Sequence, residues 1–209
     1  MRLRTIKMLA CATLAMQAGA ASAFFDVQVM AGKRWYEISG DDFGDQETHV
    51  SSQEMVLAAH IDPIPAVPVA FGVSAAMATM DKEAWGPTTK TATGVEIGLD
   101  IMAWIPMVPI VTPFARLRYP LMSTMAIEGE STVASETVKS VMTLDVSGPQ
   151  IGLGVKWSPL PVLKVLLEVQ KGMQTIKIDE VKLGDEKTSG DGSGDLASNA
   201  FLLGIEIGL

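Results

Sequence analysis

The sequence predicts an all-β chain: an eight-stranded antiparallel up-and-down barrel that crosses a membrane with its strands. Eight stretches carry apolar residues at every second position, the period of a strand whose two faces meet different surroundings. Their joints alternate between short proline-containing turns and long polar segments, as in an up-and-down meander. Past residue 23 no apolar run is long enough for a membrane helix, and the nearest, 101–115, is broken by Pro106, Pro109 and Pro113.

The chain opens with Arg2, Arg4 and Lys7, an apolar run from Met8 to Ala18, and Ala21-Ser22-Ala23. A basic segment, a short apolar core and an A-x-A site are the three parts of a secretory signal peptide, so 1–23 is read as one, cut after Ala23. Cys11 follows Met8-Leu9-Ala10 as a lipoprotein cysteine would, but that reading shortens the apolar core and leaves the A-x-A site unused. Cys11 is the only cysteine, so the mature chain has neither a disulfide nor a thiolate metal site.

Of 209 residues 186 remain, 24–209, which fits one domain. Eight tilted strands of about 9–11 residues use roughly 80–90 of them.

In order, the predicted strands are 25–37, 53–62, 68–79, 92–104, 109–121, 139–157, 162–177 and 196–209. The second, fourth and sixth each end in a proline turn: Asp62-Pro-Ile-Pro-Ala-Val-Pro68, Ile105-Pro-Met-Val-Pro109 and Ser158-Pro-Leu-Pro161. Long polar loops are expected at Ser39–Ser52, Met80–Thr91, Ser123–Val138 and Asp179–Asp195. In the third strand Val69, Phe71, Val73 and Ala75 alternate with Ala70, Gly72, Ser74 and Ala76. In the fourth, Val95, Ile97, Leu99 and Ile101 alternate with Glu96, Gly98, Asp100 and Met102. The sixth changes parity between Met142, Leu144, Val146 and Ile151, Leu153, Val155, which predicts a bulge at Gly148-Pro149 that keeps both sets on the lipid face. Leu163, Leu166 and Leu167 also fit a helical period, so 160–170 competes between strand and helix. In the eighth, Phe201, Leu203, Ile205, Ile207 and Leu209 alternate with Leu202, Gly204, Glu206 and Gly208.

The second set in each strand faces the lumen. Carried through, this places Arg34, His60, Glu96, Asp100, Arg116, Arg118, Lys156, Glu168 and Glu206 inside. An eight-stranded barrel is only wide enough for its own side chains, so these charges are expected to pair and fill it. A narrow path remains the alternative, with Arg116 and Arg118 facing Glu96, Glu168 and Glu206 across water.

Removal of Arg2, Arg4 and Lys7 reduces 16 basic residues to 13 against 24 acids, a formal charge of −11, which disfavours nucleic acid as a partner. Acids gather in the first loop (Asp41, Asp42, Asp45, Glu47) and the fourth (Asp179, Glu180, Asp185, Glu186, Asp191, Asp195), where Asp185, Asp191 and Asp195 are weak candidate ligands for a divalent cation. His49 lies near Glu47, Ser51 and Ser52, the residue types of nucleophilic catalysis, yet without a nucleophile motif. No enzyme activity and no cofactor are expected.

The pattern of strands, short turns and long loops resembles the small outer-membrane barrels of the OmpA transmembrane domain, OmpX and OmpW type. The resemblance covers the mature chain. It implies residence in a Gram-negative outer membrane among lipid and lipopolysaccharide, assembly by the barrel assembly machinery, turns on the periplasmic side and loops outside. Such chains usually finish on an aromatic residue, where this one has Leu209, and Trp35, Tyr36, Trp104, Tyr119 and Trp157 would make a sparse girdle. A structural or surface-interaction role follows, with a transport role as the alternative: a narrow pore, or an OmpW-like carrier of small hydrophobic molecules with a pocket near the extracellular end lined by Met30, Met102 and Leu202. A soluble barrel with a ligand cavity would need the apolar faces inside, where the inward charges argue against it.

Overall fold

The computed structural model describes residues 25–40, 48–63, 67–105, 110–133, 136–160 and 162–208. The segment 1–23 expected to be a signal peptide, with Cys11 and Ala23, the acids Asp41, Asp42, Asp45 and Glu47, and Leu209 lie outside them. Alternation over long runs makes ten strands: β1 (Phe25–Ser39), β2 (Thr48–Ile61), β3 (Val69–Met80), β4 (Thr89–Trp104), β5 (Val111–Val133), β6 (Glu136–Ser147), β7 (Gln150–Trp157), β8 (Leu163–Leu183), β9 (Glu186–Ser189) and β10 (Ser193–Gly208). All neighbours are antiparallel, and β1 pairs with β10 from Asp26↔Gly208 to Ser39↔Asp195, which closes the sheet. β6 and β7 together make one stave, both between β5 and β8, so the ring has eight. Residues 163–170 belong to strand β8, with Leu166 inside and Leu167 outside.

Outward residues form an apolar band around the turn end of the barrel, including Val29, Leu57, Phe71, Leu99, Leu117, Leu153, Val169 and Leu203, all exposed. From the turn end, the band on every stave runs to a first polar outward residue, with Trp35 and Met173 exposed one outward step beyond it on β1 and β8. That residue is Lys33, Gln53, Thr79, Thr93, Thr124, Ser147, Lys171 and Asn199 in turn around the ring. Above this boundary the two faces exchange character. Outward positions are Glu37, His49, Thr91, Glu128, Asp145 and Lys177, while Ile38, Val50, Met80, Met125, Ile127, Leu144, Val146, Ile176 and Leu196 are packed together inside. A 3-10 helix, Lys82–Trp85, is capped by Asp81, which accepts from the Glu83 N–H at 3.1 Å, and it lays Ala84 and Trp85 against this cluster.

This exchange corrects the expected bulge at Gly148-Pro149. The chain does break there, and Gly148 has φ +123°, a left-handed conformation suited to glycine. Yet the register against β8 runs on unchanged, Ser147↔Thr175 then Gln150↔Gly172, so no residue flips. Leu144 and Val146 face the interior because water, and not lipid, lies outside them. Register shifts sit elsewhere: in β5, where Ile97↔Met122 is followed by Gly98↔Pro120 and Leu121 is left over, and farther from the turns between Thr89 and Thr91 and between Thr143 and Leu144. Of the five girdle aromatics Trp35, Tyr119 and Trp157 are exposed, whereas Tyr36 is buried in the outer core and Trp104 packs against Ala70, Met102, Phe114 and Leu166 inside.

The third and fourth polar segments are not loops. β5 and β6 continue to Val133↔Glu136, β6 pairs with β8 up to Ser140↔Leu183, and β9 folds back on β8, making a sheet that projects beyond the barrel. Polar residues serve here because both faces meet water. Glu130 stands opposite Lys139, and Glu180 holds Lys182 at 3.0 Å and Lys187 at 3.1 Å, hydrogen bonds that lower the Glu180 carboxyl below its ordinary pKa.

Because residues 24–209 contain no cysteine, the exchange of faces can be read chemically. In the folded protein Asp145→Cys should react with a charged maleimide and Leu144→Cys should stay protected until denaturation. Equal reactivity would reject the apolar interior above the boundary.

Candidate functional site

The alternation that turns apolar residues toward lipid turns polar ones into the barrel, and their depth then decides their partners. At the turn end β1, β2, β7, β8 and β10 bring together Asp26, Gln28, His60, Lys156, Lys164 and Glu206. Lys156 Nζ lies 2.6 Å from Glu206 Oε2, Lys164 donates to the other oxygen, and Gln28 Nε2 donates to Glu206 Oε2 at 2.7 Å. The Lys156 ammonium also lies 5.5 Å from the Trp104 ring centre and 5.7 Å from that of Phe114, within cation–π range. His60 places Nδ1 3.0 Å from Asp26 Oδ1 and Nε2 3.5 Å from Asp100 Oδ2.

The middle layer is centred on Asp100. Arg118 Nε donates to its Oδ1 at 3.0 Å and Ser74 Oγ to the same oxygen at 3.1 Å, while Arg116 Nη1 stands 3.7 Å from Oδ2. Arg116 also reaches Glu168 Oε2 at 3.5 Å and donates to the Gln28 side-chain oxygen. Gly152 makes room for Glu168, since a Cβ there would come within 2.1 Å of its Oε1.

In the upper charged layer Arg34 donates from Nε and Nη2 to the two carboxylate oxygens of Glu54 at 2.8 and 3.1 Å, a bidentate pair. It also donates to Gln170 Oε1 at 2.7 Å and Ser198 Oγ at 3.1 Å. Gln150 donates to Glu96 Oε2 at 2.7 Å. Between this layer and the apolar core lies a cavity of about 20 Å³ that Arg34, Glu54, Glu96 and Gln150 help to line, room for about one water.

All nine residues expected inside, Arg34, His60, Glu96, Asp100, Arg116, Arg118, Lys156, Glu168 and Glu206, are placed on the inner face. Asp100 gathers Arg116 and Arg118, Arg116 meets Glu168, and Lys156 meets Glu206. Arg34 instead pairs with Glu54, which the sequence reading passed over along with Asp26, Gln28, Gln150, Lys164 and Gln170. Parity was the available signal: Glu54 is an even step from His60, and Asp26 and Gln28 are even steps from Arg34. Met30, Met102 and Leu202 do not share a pocket near the extracellular end. Met30 and Leu202 pack with Val56 and Ala76, and Met102 packs in a separate cluster with Phe114.

His49 and Ser51 lie on the outer face of β2 while Ser52 is buried inside, so strand alternation separates them as a nucleophile set. Asp185 is in the β8–β9 turn, Asp191 in the next connection and Asp195 in β10. Among the described residues no three His, Cys, Asp or Glu side chains come together as a metal site.

A closed ring of eight staves, an apolar outer band and a charged interior define a small outer-membrane β-barrel. No family model and no curated protein matches the sequence. Three solved structures share the fold at a TM-score of 0.53. Neisserial surface protein A is 13% identical, with 90% of this chain and 99% of that one covered. The outer membrane protein OprG from Pseudomonas aeruginosa is 13% identical, with 89% and 96% covered. The outer membrane protein AlkL, determined in lipid bilayers, is 10% identical, with 89% and 90% covered.

Truncation at the Arg34 pair gives a direct test of its energetics. Arg34→Ala strands the Glu54 carboxylate and is expected to cost about 3–5 kcal/mol, while the double variant Arg34→Met with Glu54→Gln should cost less than the single change. Urea unfolding in phospholipid vesicles would measure both.

Proposed function

We propose that the protein is a non-enzymatic integral barrel of the bacterial outer membrane with a structural or surface-interaction role. In this reading residues 1–23 export it and are removed after Ala23, the barrel assembly machinery inserts it, and the hairpin end with its projecting sheet faces outward among lipopolysaccharide. The observation that carries the proposal is the filled interior. Arg34, Arg116 and Arg118 are each no more than 2% exposed and each is held by a carboxylate across or along the lumen, with an apolar layer above them. A pore or a carrier of small hydrophobic molecules needs a continuous path, and two stacked plugs of opposite character oppose both ions and apolar solutes.

Planar-bilayer recording on the purified barrel tests this. No steady conductance is expected, and stable discrete openings would reject the sealed lumen in favour of transport. Electrophoresis of the same sample should show a folded form that changes mobility only after boiling, and identical mobility before and after heating would reject the closed barrel itself.

A further inference from the structure

The boundary ring is uneven in charge. Of its eight residues only Lys33 and Lys171 are charged, both are cationic, and their staves β1 and β8 are separated by β10 alone. The register places Lys33 opposite Phe201, and Asn199 opposite both Trp35 and Lys171. One patch of wall therefore carries two ammonium groups, an amide and an indole directly above the apolar band. The Lys33 ammonium lies 5.6 Å from the Trp35 ring centre, and Trp35 is 46% exposed on the outside of the barrel.

Among the described residues neither lysine is held by a carboxylate, a condition shared by Lys82, Lys139 and Lys177, which lie away from the apolar band. Lys90, Lys182 and Lys187 have a carboxylate at 3.8, 3.0 and 3.1 Å, whereas among the described residues neither Lys33 nor Lys171 forms an ion pair. The nearest outward carboxylates on β1 and β10, Glu37 and Asp195, are four residues beyond Lys33 and Asn199, about 13 Å along the strands. A lysine at the edge of hydrocarbon lays its methylenes on apolar wall and lifts its ammonium toward the headgroups. Tryptophan prefers the same level, where one end of the ring is apolar and the other wet.

We propose that Lys33 and Lys171 bind the phosphorylated headgroup of an outer-leaflet lipid. The acyl chains lie on Phe201, Val169 and Leu203, and Asn199 and Trp35 sit beneath the sugar or glycerol. The proposal rests on the reading of the chain as an outer-membrane barrel with its hairpin end outside. A phosphorylated lipid is favoured over a free anion because the cations adjoin the exposed apolar wall of Val169, Phe201 and Leu203, where acyl chains lie.

The test is titration of the refolded mature barrel in detergent with diphosphoryl lipid A, read by native mass spectrometry. Adducts are expected that inorganic phosphate at the same concentration does not displace. The double variant K33Q/K171Q should weaken binding roughly tenfold, the loss of two surface charge pairs. K33R/K171R should retain binding, and K139Q/K177Q, which removes outward cations farther from the band, should leave it unchanged. Binding by K33Q/K171Q within twofold of the parent would overturn the proposal, as would equal loss in K139Q/K177Q or displacement by phosphate. A barrel that conducts yet loses lipid only in K33Q/K171Q would reject the sealed lumen and keep this site. A silent barrel whose lipid binding ignores both lysines would do the reverse.

Discussion

Hydrocarbon offers no hydrogen bonds, and the pairing of β1 with β10 is the interaction on which the rest of this structure depends. Without it the sheet would present two edges of unsatisfied N–H and C=O groups to lipid, each a cost of several kcal/mol. Closure at eight staves then fixes the bore at a width that only side chains can fill. What fills it is decided by the alternation that built the outer face: every lipid-facing residue sends its neighbour inward. The interior is thus a consequence of the wall.

The wall meets two solvents. Below the ring that runs through Lys33, Gln53 and Thr93, lipid selects Val29, Leu57 and Leu99 for the outside, and the inside takes Arg34, Asp100 and Glu168. Above it water selects Glu37 and Asp145 for the outside, and Leu144, Ile176 and Leu196 gather within as the core of an ordinary soluble barrel would. One chain direction carries both patterns because strand parity is unchanged across the boundary in β1, β8 and β10, the β6–β8 register shifting only farther out between Thr143 and Leu144, and only the chemistry assigned to each face is exchanged.

That exchange explains where sequence reading succeeds and where it fails. Strands β1 to β4 are legible because their apolar residues keep one parity through the band, and two proline turns follow β2 and β4. Leu144 and Val146 look lipid-facing in sequence because an alternation alone does not say which medium it faces. The β5–β6 hairpin resembles a loop in sequence for a related reason. Ser131 and Thr132 look like loop residues until a projecting sheet with two wet faces is allowed for. Parity located the lumen charges, but not their partners. Arg34 meets Glu54 on the neighbouring strand and Gln170 two staves away, and depth in the barrel, set by register, is absent from a one-dimensional pattern.

Buried ion pairs seldom add net stability over well-packed apolar residues, because both charges give up water to make them. The value of these charges lies in what they forbid. Arg34 on β1 binds Glu54 on β2, Gln170 on β8 and Ser198 on β10, so it spans the seam that closes the ring. Glu206 on β10 ties Gln28 of β1 to Lys156 of β7 and Lys164 of β8, and Asp100 on β4 holds Ser74 of β3 and two arginines of β5. A closure slipped by one residue would turn one partner of each such set toward lipid while the other stayed inside, leaving unpaired charge on both sides of the wall. Slippage by two would keep the faces and break the depth match. The network therefore penalises the wrong registers much more than it favours the right one, which is the discrimination a barrel needs when its last strand must find its first.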